Sequence, residues 1–482
     1  MDNREPSSRE PWTPNGLFIA ALYLCGLTVM IAGLSLNSLP FQSFKSFVLS
    51  KNGALLLGSG IVASLSFMFL RQQYFLSRQG QSRLFFLYVG MSLVTFGVLG
   101  VTLECTMRVL AKTSPSGAFF LSTALLPKSW DQTRAHYKQL IDRTLTDPSF
   151  LVYDQLLGWT VGINKQSSNG LYFSTAEGLR SQRAGVQLSQ DPSPVRIALV
   201  GDSFTFGEEV RFEETWGYHL AKDLGPNVQV LNFGVSGYGI DQSYLRIQKD
   251  VLSWKPTVVI LGFIQADLWR SMTLYSFINF ENWEFTFSKP RYLMSNGALT
   301  LINSTPLAPS DIFSQRSISD LPFVQYDIGF RAADWNSHPF DWSYLARAMR
   351  TYTAPPSLHP FATQNDLTTI NSEILRAFLR AATESEFVPL IVYFPSRTDF
   401  LDPSTEPFGA EFIRRSGLPH VNLTGCISGV PLNERFVTGG VHYSASGNAA
   451  VAKCLGPLIH EAIQKGTLQR RAKSQERNPV RD

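Results

Sequence analysis

Apolar positions along this 482-residue chain follow two different patterns. The first hundred or so residues hold three uncharged apolar runs, 17–36, 53–70 and 84–103, each about as long as a bilayer crossing requires and none with an amphipathic period. They predict three transmembrane helices. Arg4, Arg9, Arg71, Arg78 and Arg83 outnumber Lys45, Lys51, Arg108 and Lys112 on the alternate loops, which predicts an inside N-terminus and a C-terminal domain on the extracytoplasmic, periplasmic side. From residue 195 onward the pattern changes to short runs rich in Val, Ile and Leu: 195–200, 228–232, 257–262 and 389–393. Between them lie stretches with helical spacing: 213–224, 241–253 with Asp241 as its cap, 366–386, and a last helix capped by Ser444 or Ser446 and running to Lys465. Continuously apolar strands separated by helices predict an α/β fold, with a parallel sheet covered on both faces in a flavodoxin-like three-layer α/β/α sandwich. Right-handed crossovers then gather the carboxyl ends of the strands on one rim.

The alternation breaks between 271 and 356, a stretch rich in Phe, Tyr, Trp and Pro that reads as an insertion beside that rim. Within it, Ser295-Asn296-Gly297 joins two β-like runs of 291–303 and predicts a hairpin, either a substrate-shaping lid or an appendage packed on the domain. Trp269, Trp283, Trp335 and Trp342 are candidates for stacking on sugar rings and equally for a core. The expected organisation is a membrane region 1–112, an extension 113–194, an α/β domain 195–466 and a basic disordered tail 467–482. A net charge of +4, with no aromatic residues among clustered bases, argues against nucleic acid. The seven histidines show no metal-ligand spacing, so neither metal nor cofactor is expected. Cys426 and Cys454 can form a disulfide only if their domain is extracytoplasmic.

The chemistry gathers where predicted strands end. Gly201-Asp202-Ser203 follows the first strand and opens a helix, which mounts a serine hydroxyl on a sharp turn beside helix-start N–H groups. Gly234 follows the second strand in Phe233-Gly234-Val235-Ser236-Gly237, and Gln265-Ala266-Asp267 follows the third. His442 precedes the last helix. A serine hydroxyl needs a base to take its proton, and histidine suits the task because its ordinary pKa is about 6.5.

In this order of serine, glycine, polar loop and histidine the chain resembles the SGNH/GDSL hydrolase superfamily over roughly 195–465, and within it a set of membrane-anchored bacterial members that carry a Gly-Leu-Arg segment, here Gly178-Leu179-Arg180. The resemblance implies Ser203 as nucleophile, His442 as base and an oxyanion hole from the N–H groups of Ser203 and Gly234, with Gln265 the nearest amide side chain to help. It also implies that Asp202 and Asp267 serve structure near the site, and that the Gly-Leu-Arg segment packs close by. Taken alone, Arg180 and Arg270 read as solvated surface residues. Two family positions depart: Ala266 stands where the superfamily has Asn, and Gly439 where it has the Asp three residues ahead of the histidine. The third member of the triad is therefore absent, supplied from elsewhere, or replaced by a backbone carbonyl.

The expected activity is hydrolysis of an O-acyl ester on a cell-surface glycan or lipid, through an acyl-enzyme on Ser203. Two alternatives stand beside it. One is O-acyl transfer to a polysaccharide, with an acyl-donating membrane partner. The other is a non-catalytic member that binds a glycan or acyl ligand in the same cleft.

Overall fold

The computed structural model describes residues 82–120, 123–146, 149–189, 195–280, 285–353, 363–402 and 404–477. Contacts divide the chain into two units. One takes in residues up to Ser129 together with Ala333–Pro356, and the other Trp130–Ala332 with the chain after Ser357. The expected extension and the expected insertion thus each contribute to both units.

The first unit contains the helix Ser82–Leu110, an antiparallel meander of Lys112–Ser114, Gly117–Phe120 and Thr123–Ala124, and the helix Tyr344–Thr353. Among the described residues no helix is long and apolar enough to cross a membrane. This contradicts the expectation of three transmembrane helices and the multi-pass membrane location built on it. The runs 17–36 and 53–70 lie outside the described residues. The run 84–103 does not end as a separate apolar rod but continues through Glu104, Met107 and Arg108, which face protein. Met107 packs with Ala118, Phe120, Leu125 and Ala348. Glu104 caps the helix Tyr344–Thr353, accepting from the N–H groups of Tyr344 and Leu345 and from the Ser343 hydroxyl. Burial opposes ionisation of Glu104, yet those donors and Arg108 outweigh it and hold its pKa at about 2.

The second unit is built on five parallel strands: β1 Val195–Val200, β2 Val228–Asn232, β3 Val258–Phe263, β4 Val388–Tyr393 and β5 Val421–Asn422. Their order is β2-β1-β3-β4-β5, the flavodoxin-like arrangement whose direction reverses between β1 and β3. Alternate side chains divide the core. Ala198 and Val200 of β1 and Val259, Leu261 and Phe263 of β3 pack beneath α3 (Ile240–Arg246), α5 (Gln364–Ser385) and α6 (Phe408–Arg415). Ile197, Leu199, Val258 and Ile260 pack beneath α2 (Trp216–Leu224) and α7 (Ala445–Arg477) on the other face. Burial on both faces is why these strands read as unbroken apolar runs rather than alternating ones.

Helix boundaries follow local capping. Thr363 and Asp366 form a capping box that starts α5, and the Ser444 hydroxyl accepts the Gly447 N–H at the start of α7. That helix carries Pro457 and continues past 466 to Arg477. Asp241 is not the cap of α3. Gly239 takes that position, and the Asp241 carboxylate forms a buried ion pair with Lys289. The expected hairpin forms as Arg291–Ser295 against Ala298–Ile302, with Asn296 and Gly297 both at positive φ as a two-residue turn of this kind needs. Tyr292 is buried, and Met294, Leu299 and Leu301 pack against the core on the α5 side, so the hairpin is built into that layer. Cys426 and Cys454 are joined by a disulfide between the short helix Thr424–Ile427 and α7.

Candidate active site

The chain leaves β1 through Gly201 and Asp202 into a single helical turn, α1 (Ser203–Phe206). Asp202 caps that turn, one carboxylate oxygen accepting the Phe204 N–H at 2.9 Å, and this fixes Ser203 at the first helical position. Gly207 closes the turn at φ +79°, where a Cβ would strike Thr215. The N–H groups of Gly207 and Glu208 both return to the Ser203 carbonyl at 3.0 Å.

Beneath the serine lies a fully internal charged cluster. Nη1 of Arg270 is 3.2 Å from Asp202 Oδ2 and 2.7 Å from Asp267 Oδ1, and all three side chains are buried. The second Asp267 oxygen accepts the Ile264 N–H at 3.0 Å, at the start of α4 (Gln265–Arg270). Burial raises the Asp202 pKa, with Arg270 and His442 pulling against it. Burial, and after it the Asp202 charge, push Asp267 well above the usual carboxylate range, with Arg270 opposing. Arg270 is therefore no surface residue: with two carboxylates to neutralise, it is held inside.

Arg180 is also internal, contrary to its reading in isolation. Its guanidinium lies 4.9 Å from the ring centres of both Tyr172 and Phe206 and donates to the Val210 carbonyl at 3.1 Å. Aromatic faces shelter a planar cation at low desolvation cost, which explains how the Gly-Leu-Arg segment buries it. Burial brings its pKa down to about 10, so it stays charged at neutral pH. The arginine thereby braces the loop that follows the serine turn.

His442 sits on the loop between Phe436 and Tyr443, which pair as an antiparallel bridge, and the Val437 N–H donates to its carbonyl at 2.9 Å. Phe204 packs against the imidazole and meets Tyr443 edge to face. The outcome is a contact of 2.7 Å between His442 Nε2 and Ser203 Oγ, made across 239 residues of sequence.

The expected oxyanion donors fare differently. The Ser203 N–H has no hydrogen-bond partner among the described residues. The Gly234 N–H donates to Asn232 Oδ1 at 2.9 Å. Its missing Cβ has another use, since one there would lie 2.3 Å from the Phe206 nitrogen. Gln265 accepts the Gly409 N–H on Oε1 at 3.1 Å, which leaves its Nε2 donors uninvolved in that bond. By contrast, the Gly237 N–H is without a partner among the described residues.

Two residues that sequence reasoning passed over complete the surroundings of the imidazole. Glu208 Oε2 lies 3.5 Å from His442 Nε2 and accepts from the Ser236 hydroxyl at 3.0 Å. Burial raises its pKa, against the pull of His442 and of that hydroxyl. Glu209 Oε2 lies 3.3 Å from His442 Nδ1 on the opposite side of the ring. The only signal in the sequence was the pair of acids directly after Gly207, which reads as an exposed turn.

A β2-β1-β3-β4-β5 parallel sheet, with a Gly-Asp-Ser turn leaving β1 and a histidine ahead of the last helix meeting that serine, agrees with the fold and the order of residues that the resemblance to SGNH/GDSL hydrolases implies. Several solved structures are similar to this chain. The acetyl xylan esterase AlAXEase is 14% identical and aligns over 55% of this chain and all of its own, with a TM-score of 0.29. The lipase/acylhydrolase from Enterococcus faecalis is 14% identical over 55% of this chain and 96% of its own, with a TM-score of 0.28. TesA is 12% identical over 55% of this chain and 99% of its own, with a TM-score of 0.30. No protein-family model matches the chain, and no curated protein does. At TM-scores near 0.3 these likenesses add nothing to the chemistry, which rests on the distances given above.

Proposed function

We propose that the protein is a serine-dependent ester hydrolase that removes O-acyl groups from a glycan or lipid ester. The contact of 2.7 Å between His442 Nε2 and Ser203 Oγ carries this reading, because it puts an imidazole base within proton-transfer reach of a hydroxyl mounted for attack. The bond class follows from the resemblance to SGNH/GDSL hydrolases.

In the first step Ser203 Oγ bonds to the acyl carbon while His442 Nε2 takes its proton, and negative charge collects on the former carbonyl oxygen. The N–H groups of Ser203 and Gly234 are the donors proposed for that oxygen, from the resemblance; one such donor is worth about 3 kcal/mol in a well-studied protease. Collapse expels the alcohol, which leaves with the proton held by His442. Water then attacks the acyl-enzyme with His442 again as base, and releases the carboxylic acid and Ser203.

A fluorophosphonate serine probe tests this on the purified chain. Labelling is expected in the wild type and lost in both Ser203→Ala and His442→Ala. A folded wild type that takes up no label would overturn the hydrolase reading in favour of a binding protein.

A further inference from the structure

We infer that Glu209 is the positioning residue for His442, replacing from the nucleophile's own loop the aspartate missing at Gly439. The inference rests on the Ser203–His442 reading above. Gly439 has no side chain to offer, and a Cβ built there meets nothing within 4 Å. His442 Nδ1 is nonetheless buried and makes no hydrogen bond of good geometry. What faces it is Glu209 Oε2, at 3.3 Å. Catalytic hydrogen bonds are often long in an empty site and shorten once substrate is bound.

The same Glu209 oxygen is fastened to the histidine's own backbone, accepting the N–H groups of Val441 and His442 at 3.0 Å each. Room for it exists because residue 440 is glycine: a Cβ there would lie 2.2 Å from Oε2. The departure at 439 and the glycine at 440 thus belong together, one removing the usual carboxylate and the other admitting a substitute.

Glu209 reaches this place at a conformational cost. Its φ of +67° is a region that non-glycine residues seldom occupy, and such strain persists only where the surroundings impose it. Here the Glu209 N–H donates to the Tyr172 hydroxyl at 2.9 Å, and Arg180 holds the Val210 carbonyl one residue further on. Glu208 does not serve instead, because it approaches Nε2, the nitrogen that Ser203 needs. A carboxylate at Nδ1 keeps the proton there and leaves the Nε2 lone pair for the serine, and it stabilises the imidazolium once formed.

Glu209→Gln is the direct test, since glutamine keeps the length and can still accept from the two backbone N–H groups. The measurements are turnover of p-nitrophenyl acetate across pH and the rate of fluorophosphonate labelling. The charged and titratable groups that act on the imidazole are Glu208, Glu209 and Asp202, with the Tyr443 phenol next in sequence. Expected for the variant are a kcat lowered about 10³–10⁴-fold with KM within threefold of wild type, and an acid limb of kcat/KM moved to lower pH, because the imidazolium has lost a neighbouring negative charge. A kcat within threefold of wild type, or an unmoved acid limb, would overturn the inference. If that variant does not fold, Gly440→Ala decides, because its Cβ would displace the Glu209 carboxylate: a lowered kcat with the acid limb moved to lower pH supports the inference, and a kcat within threefold of wild type sinks it. A wild type with neither turnover nor labelling would instead defeat the hydrolase reading itself.

Discussion

Replacing Arg270 by Met tests whether the charges beneath Ser203 are held in balance by one cation. Arg270 contacts two carboxylates through one nitrogen, at 2.7 and 3.2 Å, and Asp202 and Asp267 are only 0% and 2% exposed. Methionine fills much of the same volume but leaves both acids without a cation, and removing one partner of a buried pair costs about 3–5 kcal/mol. At about 2 °C per kcal/mol for a domain of this size, the melting point should fall by about 6–10 °C at pH 8. The pH dependence has a definite sign. Both carboxyl pKa values are already raised in the folded protein, so between the unfolded value of about 3.9 and the folded ones the native state binds more protons than the unfolded chain. Stability in that window rises as pH falls, by about 1.4 kcal/mol per unit for each group taking up a proton. The variant's deficit should therefore shrink between pH 8 and pH 5. Thermal melts followed by circular dichroism at both pH values give the answer. A variant that melts within 2 °C of wild type at pH 8, or whose deficit grows towards pH 5, refutes the argument.

Two further outcomes follow from packing. Arg180→Ala should lose about 2–3 kcal/mol of stability, from two cation–π contacts and a buried hydrogen bond, and should lower kcat by loosening Glu209. Arg180→Lys should recover less than half of the stability because an ammonium cannot lie flat between the rings; full recovery in urea titrations would contradict this. Gly297→Ala, at φ +77° in the hairpin turn, should cost about 1 kcal/mol and leave turnover of an acetyl ester unchanged. A fall in turnover would mean that the hairpin shapes the site.

The sheet was legible because burial on both faces writes itself as unbroken Val, Ile and Leu, as in β1 and β3, whatever the rest of the chain does. Ser203 and His442 were legible because each stands at a junction, one where a strand meets a helix and the other just ahead of the last helix. Glu209 was not. Its role depends on Gly440 lying against it from 231 positions away, and no local pattern encodes a vacancy that distant. Arg180 and Arg270 misled for a related reason, since a charge looks solvated until the rings or carboxylates that house it are known. Gly234 carries a second requirement that the sequence does not display, since its lack of a side chain serves the close approach of Phe206. The apolar run 84–103 was weighed by hydropathy alone, which does not register that Glu104 and Met107 just beyond it face protein.

The disulfide bears on how the site fails. Cys426 and Cys454 enclose the whole loop that presents His442, so the histidine lies within a covalent ring whose ends are fixed beside β5 and within α7. If the loop opens, the imidazole travels only as far as that tether allows, and the ring shortens its search for the serine on return. Heat or mild denaturant should therefore produce a reversibly idle enzyme before an unfolded one, and reduction of the disulfide should bring those two stages together.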